Sequence, residues 1–274
     1  MRPEALLAWY RAHHRRLPWR VTEGERPDPY AVLVSELMCQ QTRVQTVVPY
    51  FERWLKKWPT LADLAQATDD EVRQLWTGLG YYRRAANLLR AAKETVALHG
   101  GVLPADHAAL LALPGIGPYT AGAIASIAFS LPTALVDGNV SRVLARWHLI
   151  EEDVSRGAGH RAVWRHAETW LTEPAPRAAP GVWNQALMEL GATVCTPKKP
   201  GCLLCPVASA CGARLAGREL SIPVPRPRKP PVPVVAAYLV LTSGGRVSVT
   251  KRPEKGRWSG LWAPPGAAGE GANE

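Results

Sequence analysis

The sequence predicts a mainly α-helical protein followed by the opening of a strand-bearing domain, and three observations carry that prediction. Between residues 4 and 222 apolar side chains recur at three- and four-residue intervals, in short runs separated by Gly, Pro and Asp, as expected of compact helices sharing a core. After Ile222 the texture changes to PVPRPRKPPVPVV, a stiff basic connector whose prolines resist both helix and central strand. Then AAYLVLTS, GG and RVSVTKR read as two strands around a tight hairpin. With 274 residues, 47% hydrophobic content and 11 tryptophans, the chain can bury one substantial core or two modest ones.

The helical runs are, in order, LLAWYRAHH, PYAVLVSELMC, VQTVVPYFERWLKKW, ADLAQATDDEVRQLW, YYRRAANLLRAAKETVALHG, YTAGAIASIAFSL and VSRVLARWHLI. Within LPGIGPYTAGAI, Gly115 and Gly117 permit a compact loop and Pro118 suits the first turn of the next helix. Backbone amides at such a junction can hold a DNA phosphate, although a plain helix–helix turn explains an isolated PGIG equally well. Upstream, TGLGYYRRAANL repeats the Gly-x-Gly-x-aromatic plan at a second loop-to-helix junction.

A formal charge of +10 and a pI near 9.7 favour an anionic partner, while also serving solubility. Lys198, Lys199, Arg83 and Arg84 are expected to collect phosphates and make binding salt dependent, without reading bases. Neither a secretion signal nor an uninterrupted apolar span is evident, so the expectation is a cytoplasmic protein with no membrane partner.

Cys195, Cys202, Cys205 and Cys211 are separated by six, two and five residues, and only Cys39 lies elsewhere. That spacing gives enough chain to gather four thiolates around one cluster, and predicts a metal or cluster site. From spacing alone a [4Fe-4S] cluster, structural zinc and disulfides all stay open. Glu36 interrupts the apolar AVLVSELM segment, where burial would raise its pKa; a solvent-facing helix glutamate fits the same pattern. Asp137 in VDGNV is a second carboxylate or a helix cap for Asn139 or Val140. Tyr119 opens a helix, where aromatic packing would account for it.

LPWR, SELMCQQT, GLGYY, LPGIGPYTAGAI, VDGNVSRV, WNQALMELGATVC and the complete cysteine array resemble the MutY family of adenine-specific DNA glycosylases, in the helix-hairpin-helix glycosylase superfamily. The likeness covers nearly all of residues 6 to 222 and continues more weakly through KRPEKGRWSGLWAPPG. It implies a two-lobed helix-hairpin-helix DNA glycosylase with an iron-sulfur cluster loop, one [4Fe-4S] cluster held by Cys195, Cys202, Cys205 and Cys211. An incomplete α+β Nudix-like domain would follow. The implied layout is residues 1–24 and 135–222 in the iron-sulfur lobe and 25–134 in the hairpin lobe. A linker at 223–234 and a truncated lesion-recognition domain at 235–274 complete it. The tail lacks a complete Nudix catalytic box, so nucleotide pyrophosphatase activity is not expected, and lesion discrimination is expected to be weakened more than adenine excision.

The implied activity is monofunctional excision of adenine opposite 8-oxoguanine or guanine in double-stranded DNA, by a monomer. Glu36 would protonate adenine N7, Asp137 would stabilise an oxocarbenium-like sugar, and Asn139 would be an auxiliary polar contact. Tyr119 stands where related bifunctional enzymes carry a Schiff-base lysine, which predicts little strand-cleaving activity. Gln41 and Tyr81 resemble DNA-wedging residues and Gln40 a reader of the distorted pair. Trp19 and Gln185 resemble pocket residues, and Arg20 a support for nearby structure or DNA. Gly115 and Gly117 would meet the backbone, and Lys198 and Lys199 would project from the cysteine loop. Cys39 departs from the family's usual leucine. Thymine- or uracil-mismatch glycosylases, bifunctional pyrimidine-lesion glycosylases and noncatalytic damage binders are the competing functions.

Overall fold

The computed structural model describes residues 3–21, 25–224, 234–253 and 260–270. The chain divides into two compact units, Met1–Arg226 and Pro227–Glu274. Most of the basic connector, and residues 254–259 of KRPEKGRWSGLWAPPG, lie outside the described residues.

The first unit is helical: α1 (Pro3–His13), α2 (Pro29–Cys39), α3 (Val44–Lys57), α4 (Leu61–Ala65), α5 (Asp69–Trp76), α6 (Arg83–His99) and α7 (His107–Ala112) come first. They are followed by α8 (Pro118–Ala123), α9 (Gly138–Trp147), α10 (Gly157–Trp170), α11 (Pro174–Ala178), α12 (Pro180–Thr193) and α13 (Gly212–Leu215). Local chemistry sets several of the boundaries. Asp28 accepts from the Tyr30 amide at 3.0 Å and Pro29 takes the first helical position, which together start α2. The run ADLAQATDDEVRQLW, expected as one helix, is two. Thr68 and Glu71 form a capping box that starts α5 afresh, as Thr60 and Asp63 do for α4.

Two hydrophobic cores result. The first gathers Leu33, Leu37, Met38, Trp54, Trp76, Leu88 and Ile124. Tyr30 and every residue from Val32 to Met38 are buried, so α2 is enclosed on all sides, and truncating Leu37 to Ala is expected to cost about 2–5 kcal/mol. The second core gathers Leu6, Leu144, Trp147, Trp170, Trp183 and Leu187. Between them α8 continues into a single π turn, Ile124–Ala128. Ile124 belongs to the first core, Ala123 to the second, and Ile127 packs against both. Gly122 must lack a side chain there, because a Cβ would stand 2.1 Å from the Ala134 carbonyl oxygen. No helix among the described residues is long and apolar enough to cross a membrane.

Two expectations about the fold are corrected. In the second unit the described residues form three separate antiparallel pairs: β1 (Val234–Tyr238) with β6 (Gly266–Glu270), β2 (Thr242–Ser243) with β3 (Arg246–Val247), and β4 (Thr250–Lys251) with β5 (Trp262–Ala263). The hairpin forms at Gly244–Gly245, but no helix lies among these residues and the ladders do not merge into one sheet. The region is a small, open β segment, and the incomplete α+β Nudix-like domain is not supported. Alternation of apolar residues reported strand propensity without reporting the partners that a layered domain needs.

The iron-sulfur loop is the second correction. Cys195, Cys202, Cys205 and Cys211 border a narrow cavity of about 30 Å³, beside 3₁₀ turns at Cys202–Leu204 and Ala208–Ala210. All are free thiols, and among the described residues no group of three or more His, Cys, Asp or Glu side chains is placed to hold a metal ion. The expected [4Fe-4S] cluster is therefore not supported, and zinc fails on the same finding. Spacing secures reach around a site, whereas ligation also demands side chains set at bonding geometry about one point. Burial raises the thiols of Cys202 and Cys211 and pushes Cys205 up to about 11. The loop is closed by protein donors: the Arg146 guanidinium bonds the carbonyls of Thr196, Pro197 and Ile222.

Candidate active site

The site forms where helices of the two cores meet. Glu36 projects from α2 of the first core, and Asp137 caps α9 of the second. Tyr119, at the start of α8, packs against the second core and donates its hydroxyl to Glu36 Oε2 at 2.5 Å. Glu36 is 8% exposed, and burial pushes its carboxyl up to about 7. The Tyr119 hydrogen bond opposes that rise, and the Asp137 charge adds to it.

Asp137 takes the helix-capping role, one of the two readings that sequence left open. One oxygen accepts from the Val140 amide at 2.7 Å as a helix cap, and the other accepts from Asn139 Nδ2 at 3.0 Å. Burial raises its pKa while these hydrogen bonds pull it down. Asn139 is held in turn by Arg142, which donates to Asn139 Oδ1 and to the Gly191 carbonyl, each at 2.8 Å. An acid able to hold its proton near neutral pH thus shares a site with a second carboxylate stabilised by donors. That pairing can protonate a leaving group while opposing positive charge.

Of the remaining candidate residues, Arg20 lies near enough for its charge to act on Glu36. Gln185, on α12 one turn before Glu189, accepts from the Tyr10 hydroxyl at 3.2 Å and donates to the Gly181 carbonyl. Trp19 packs edge-on against Phe51 at 5.1 Å between ring centres, at the border of the first core. Arg20 is committed to protein, donating to Glu189 Oε2 at 2.9 Å and to the Arg15 carbonyl. Gln40 Nε2 reaches Thr120 Oγ1 at 3.4 Å. Gln41 and Tyr81 both sit in left-handed backbone, at φ 55° and 48°, and both are exposed. Gly115 also has positive φ, and a Cβ there would collide with the Asn87 side chain at 2.5 Å. Gly117 begins α8 in extended backbone. Lys198 and Lys199 are exposed on the cysteine loop. Arg83 is exposed too, whereas Arg84 is buried and is not the phosphate-collecting surface residue the sequence suggested.

Sequence reasoning missed Glu189. It is 0% exposed, and burial pushes it up, but the Arg15 hydrogen bond and the Arg20 charge outweigh that and hold it near 2. A lone carboxylate in the apolar stretch WNQALMELGA, four residues after Gln185, was the available signal.

Comparison with known proteins agrees with this architecture. Residues 34–170 match the HhH-GPD superfamily of base excision DNA repair proteins. The chain is 42% identical to the adenine DNA glycosylase of Homo sapiens, over 97% of this chain and 57% of that protein. It is 43% identical to the one from Arabidopsis thaliana, over 95% and 46% respectively. Against the adenine DNA glycosylase of Buchnera aphidicola subsp. Baizongia pistaciae, identity is 34% over 96% and 72%. The chain thus spans about half the length of the human and plant relatives. Among solved structures, a thermostable thymine-DNA glycosylase superposes with a TM-score of 0.67 at 28% identity, covering 78% of this chain and 95% of that one. A non-covalent Endonuclease III–DNA complex gives 0.63 at 21%, covering 78% and 94%, a likeness of fold.

Proposed function

Because the chain belongs to the MutY-type adenine DNA glycosylases of the HhH-GPD superfamily, we propose that it hydrolyses the N-glycosidic bond of adenine mispaired with 8-oxoguanine or guanine in duplex DNA. The observation that carries this reading is Glu36, a buried carboxyl held near neutral pKa, bonded to a phenol and facing a second carboxylate.

With adenine extruded from the stack, Glu36 gives its proton to N7 and the C1′–N9 bond breaks, its electrons leaving with the purine. Positive charge develops on the deoxyribose, and Asp137, ionised and fixed by Val140 and Asn139, stabilises it. Water adds to C1′ and its proton returns to the Glu36 carboxylate left by the first step, leaving free adenine and an abasic sugar. Tyr119 has no amine, so it forms no Schiff base; it orients Glu36 through the 2.5 Å hydrogen bond. Gln185 faces the base edge and Trp19 lines the pocket through its packing on Phe51. Gln41 and Tyr81 enter the duplex, and Gln40 reads the opposing base. Gly115, Gly117, Lys198 and Lys199 meet phosphates, and Arg20 holds Glu189. Residues 1–24 with 135–222, and 25–134, act as the two lobes between which the duplex lies.

Single-turnover assays on duplexes carrying A opposite 8-oxoguanine, A opposite G, T opposite G and U opposite G test this function. Adenine release from the first two is expected, without abundant borohydride-trapped adduct. Thymine or uracil release alone would shift the activity to pyrimidine mispairs, which the likeness to the thymine-DNA glycosylase makes the sharpest contrast. Binding without release of any base would sink the catalytic reading.

A further inference from the structure

Arg84 is a basic residue that the proposed chemistry does not use. It is 8% exposed, yet among the described residues no carboxylate bonds it. One terminal nitrogen donates to the carbonyls of Leu37 at 3.0 Å, Met38 at 2.8 Å and Gln40. The other donates to Thr42 Oγ1 at 3.1 Å and to the carbonyls of Leu79 at 3.2 Å and Gly80 at 3.1 Å. These acceptors belong to two segments far apart in sequence, the last turn of α2 with the loop that leaves it, and the turn before α6.

Each loop leads straight into an exposed residue held in an unfavourable backbone conformation. Gln41 follows Gln40 and Tyr81 follows Gly80, and both adopt positive φ without being glycine. Such conformations persist only where surrounding bonds over-determine them. Arg84 supplies those bonds for both at once. Its guanidinium also lies 5.4 Å from the centre of the Tyr81 ring and 5.4 Å from that of Trp76, whose indole nitrogen donates to the Gly80 carbonyl at 3.0 Å. Tyr81, 60% exposed, thus projects from a turn fixed from beneath by a cation and an indole.

The geometry points to Arg84 as a positioning residue that sets Gln41 and Tyr81 in a fixed mutual spacing, so that the two tips enter the base stack as one rigid wedge. This rests on the glycosylase reading above. A planar cation is required because the fork must serve two loops at once; an ammonium is a compact point charge that cannot span both. Pre-set tips avoid ordering two loops at the moment of base extrusion, which places the effect of Arg84 on extrusion and not on bond cleavage.

Extrusion can be read directly with 2-aminopurine next to the target adenine, in a Glu36→Gln background at saturating protein. Arg84→Lys is expected to slow the fluorescence rise roughly tenfold or more. In the chemically competent protein the same substitution should slow adenine release by a like factor from a paired duplex. The loss should be under about threefold where adenine lies in an unpaired bubble that needs no wedge. An unchanged fluorescence rate, or equal losses on both substrates, overturns the inference. Thr42→Val, which removes one acceptor from one loop, should show the same duplex-selective loss at smaller size, and decides the matter if Arg84→Lys fails to fold. If the unsubstituted protein releases no adenine from either substrate, the glycosylase reading falls. If it does release adenine and both variants match it, this inference alone falls.

Discussion

Glu36 in α2 and Glu189 in α12 are both glutamates enclosed by apolar helices, yet one is pushed up to about 7 and the other held near 2. Burial acts upward on both, so it cannot explain the difference. Their partners do. Glu36 meets a neutral phenol and the negative field of Asp137, whereas Glu189 is met by two guanidinium groups, with Arg15 Nε at 2.7 Å and Arg20 at 2.9 Å. One environment holds a proton near neutral pH; the other fixes a permanent charge that ties the segment before α2 to α12.

The largest test of this contrast removes the transferable proton. Glu36→Gln keeps the shape and the ability to accept from Tyr119, but cannot donate a carboxylic proton. Single-turnover adenine release is expected to fall by about 10²–10⁴-fold, the usual span for a positioned general acid. A loss below tenfold would remove Glu36 from that role.

Glu189→Gln attacks the other environment and should act on stability first. It leaves Arg20, only 10% exposed at its side chain, without its charge partner. Breaking a buried pair costs about 3–5 kcal/mol, discounted here to about 2–3 because Arg15 is 40% exposed and water screens it. Chemical denaturation at pH 7 measures the loss. An unchanged midpoint would show that the two arginines find other partners.

Opposite shifts also give opposite pH dependences of stability. Glu189 has a lowered pKa in the folded protein, so its contribution is present above the ordinary carboxylate value and fades as pH falls toward about 2. Glu36 has a raised one, so the folded protein holds a proton that the unfolded chain releases between pH 4.5 and about 7, and stability declines as pH rises through that window. Replacing Glu36 by Gln removes this decline. The variant should match the parent near pH 4 and exceed it by about 3 kcal/mol at pH 8, since each tenfold gain in proton affinity on folding is worth about 1.4 kcal/mol. Denaturation midpoints of both proteins at the two pH values measure the difference.

How much of this was legible in the sequence differs between the two glutamates. A charge interrupting AVLVSELM fits a buried acid or a solvent-facing one equally, and the family resemblance, carried by a local motif, is what favours the buried acid. Glu189 sat in an equally apolar run, but its meaning depends on Arg15 and Arg20, which lie more than one hundred and sixty residues away. Local pattern is blind to such pairs. Arg84 misled for a related reason: a basic residue beside GLGYY looks solvent-facing until the exit of α2 is folded onto it. The cysteine array shows the reverse failure, since chain spacing encodes reach and says nothing of where four sulfurs finally point. Helices were largely readable because their periodicity is local, and the α4–α5 break required only the Thr68 cap that the apolar pattern concealed.

The smallest expected effect is also the most discriminating, because it separates the phenol from burial as the control on Glu36. The Tyr119 hydrogen bond favours the charged form and so holds the Glu36 pKa below what burial and Asp137 would give. Tyr119→Phe keeps the ring packed on the second core and deletes only the donor. The alkaline limb of the single-turnover rate, which reports loss of the Glu36 proton, should then move upward from about 7. At pH 6, where both proteins keep the proton, the variant should be slower by only about 2–10-fold, the worth of one hydrogen bond in orienting the acid. A limb that moves downward would mean that Tyr119 stabilises the protonated carboxyl instead. The proton near neutral pH would then be the work of the phenol, and not of the apolar helix that surrounds Glu36.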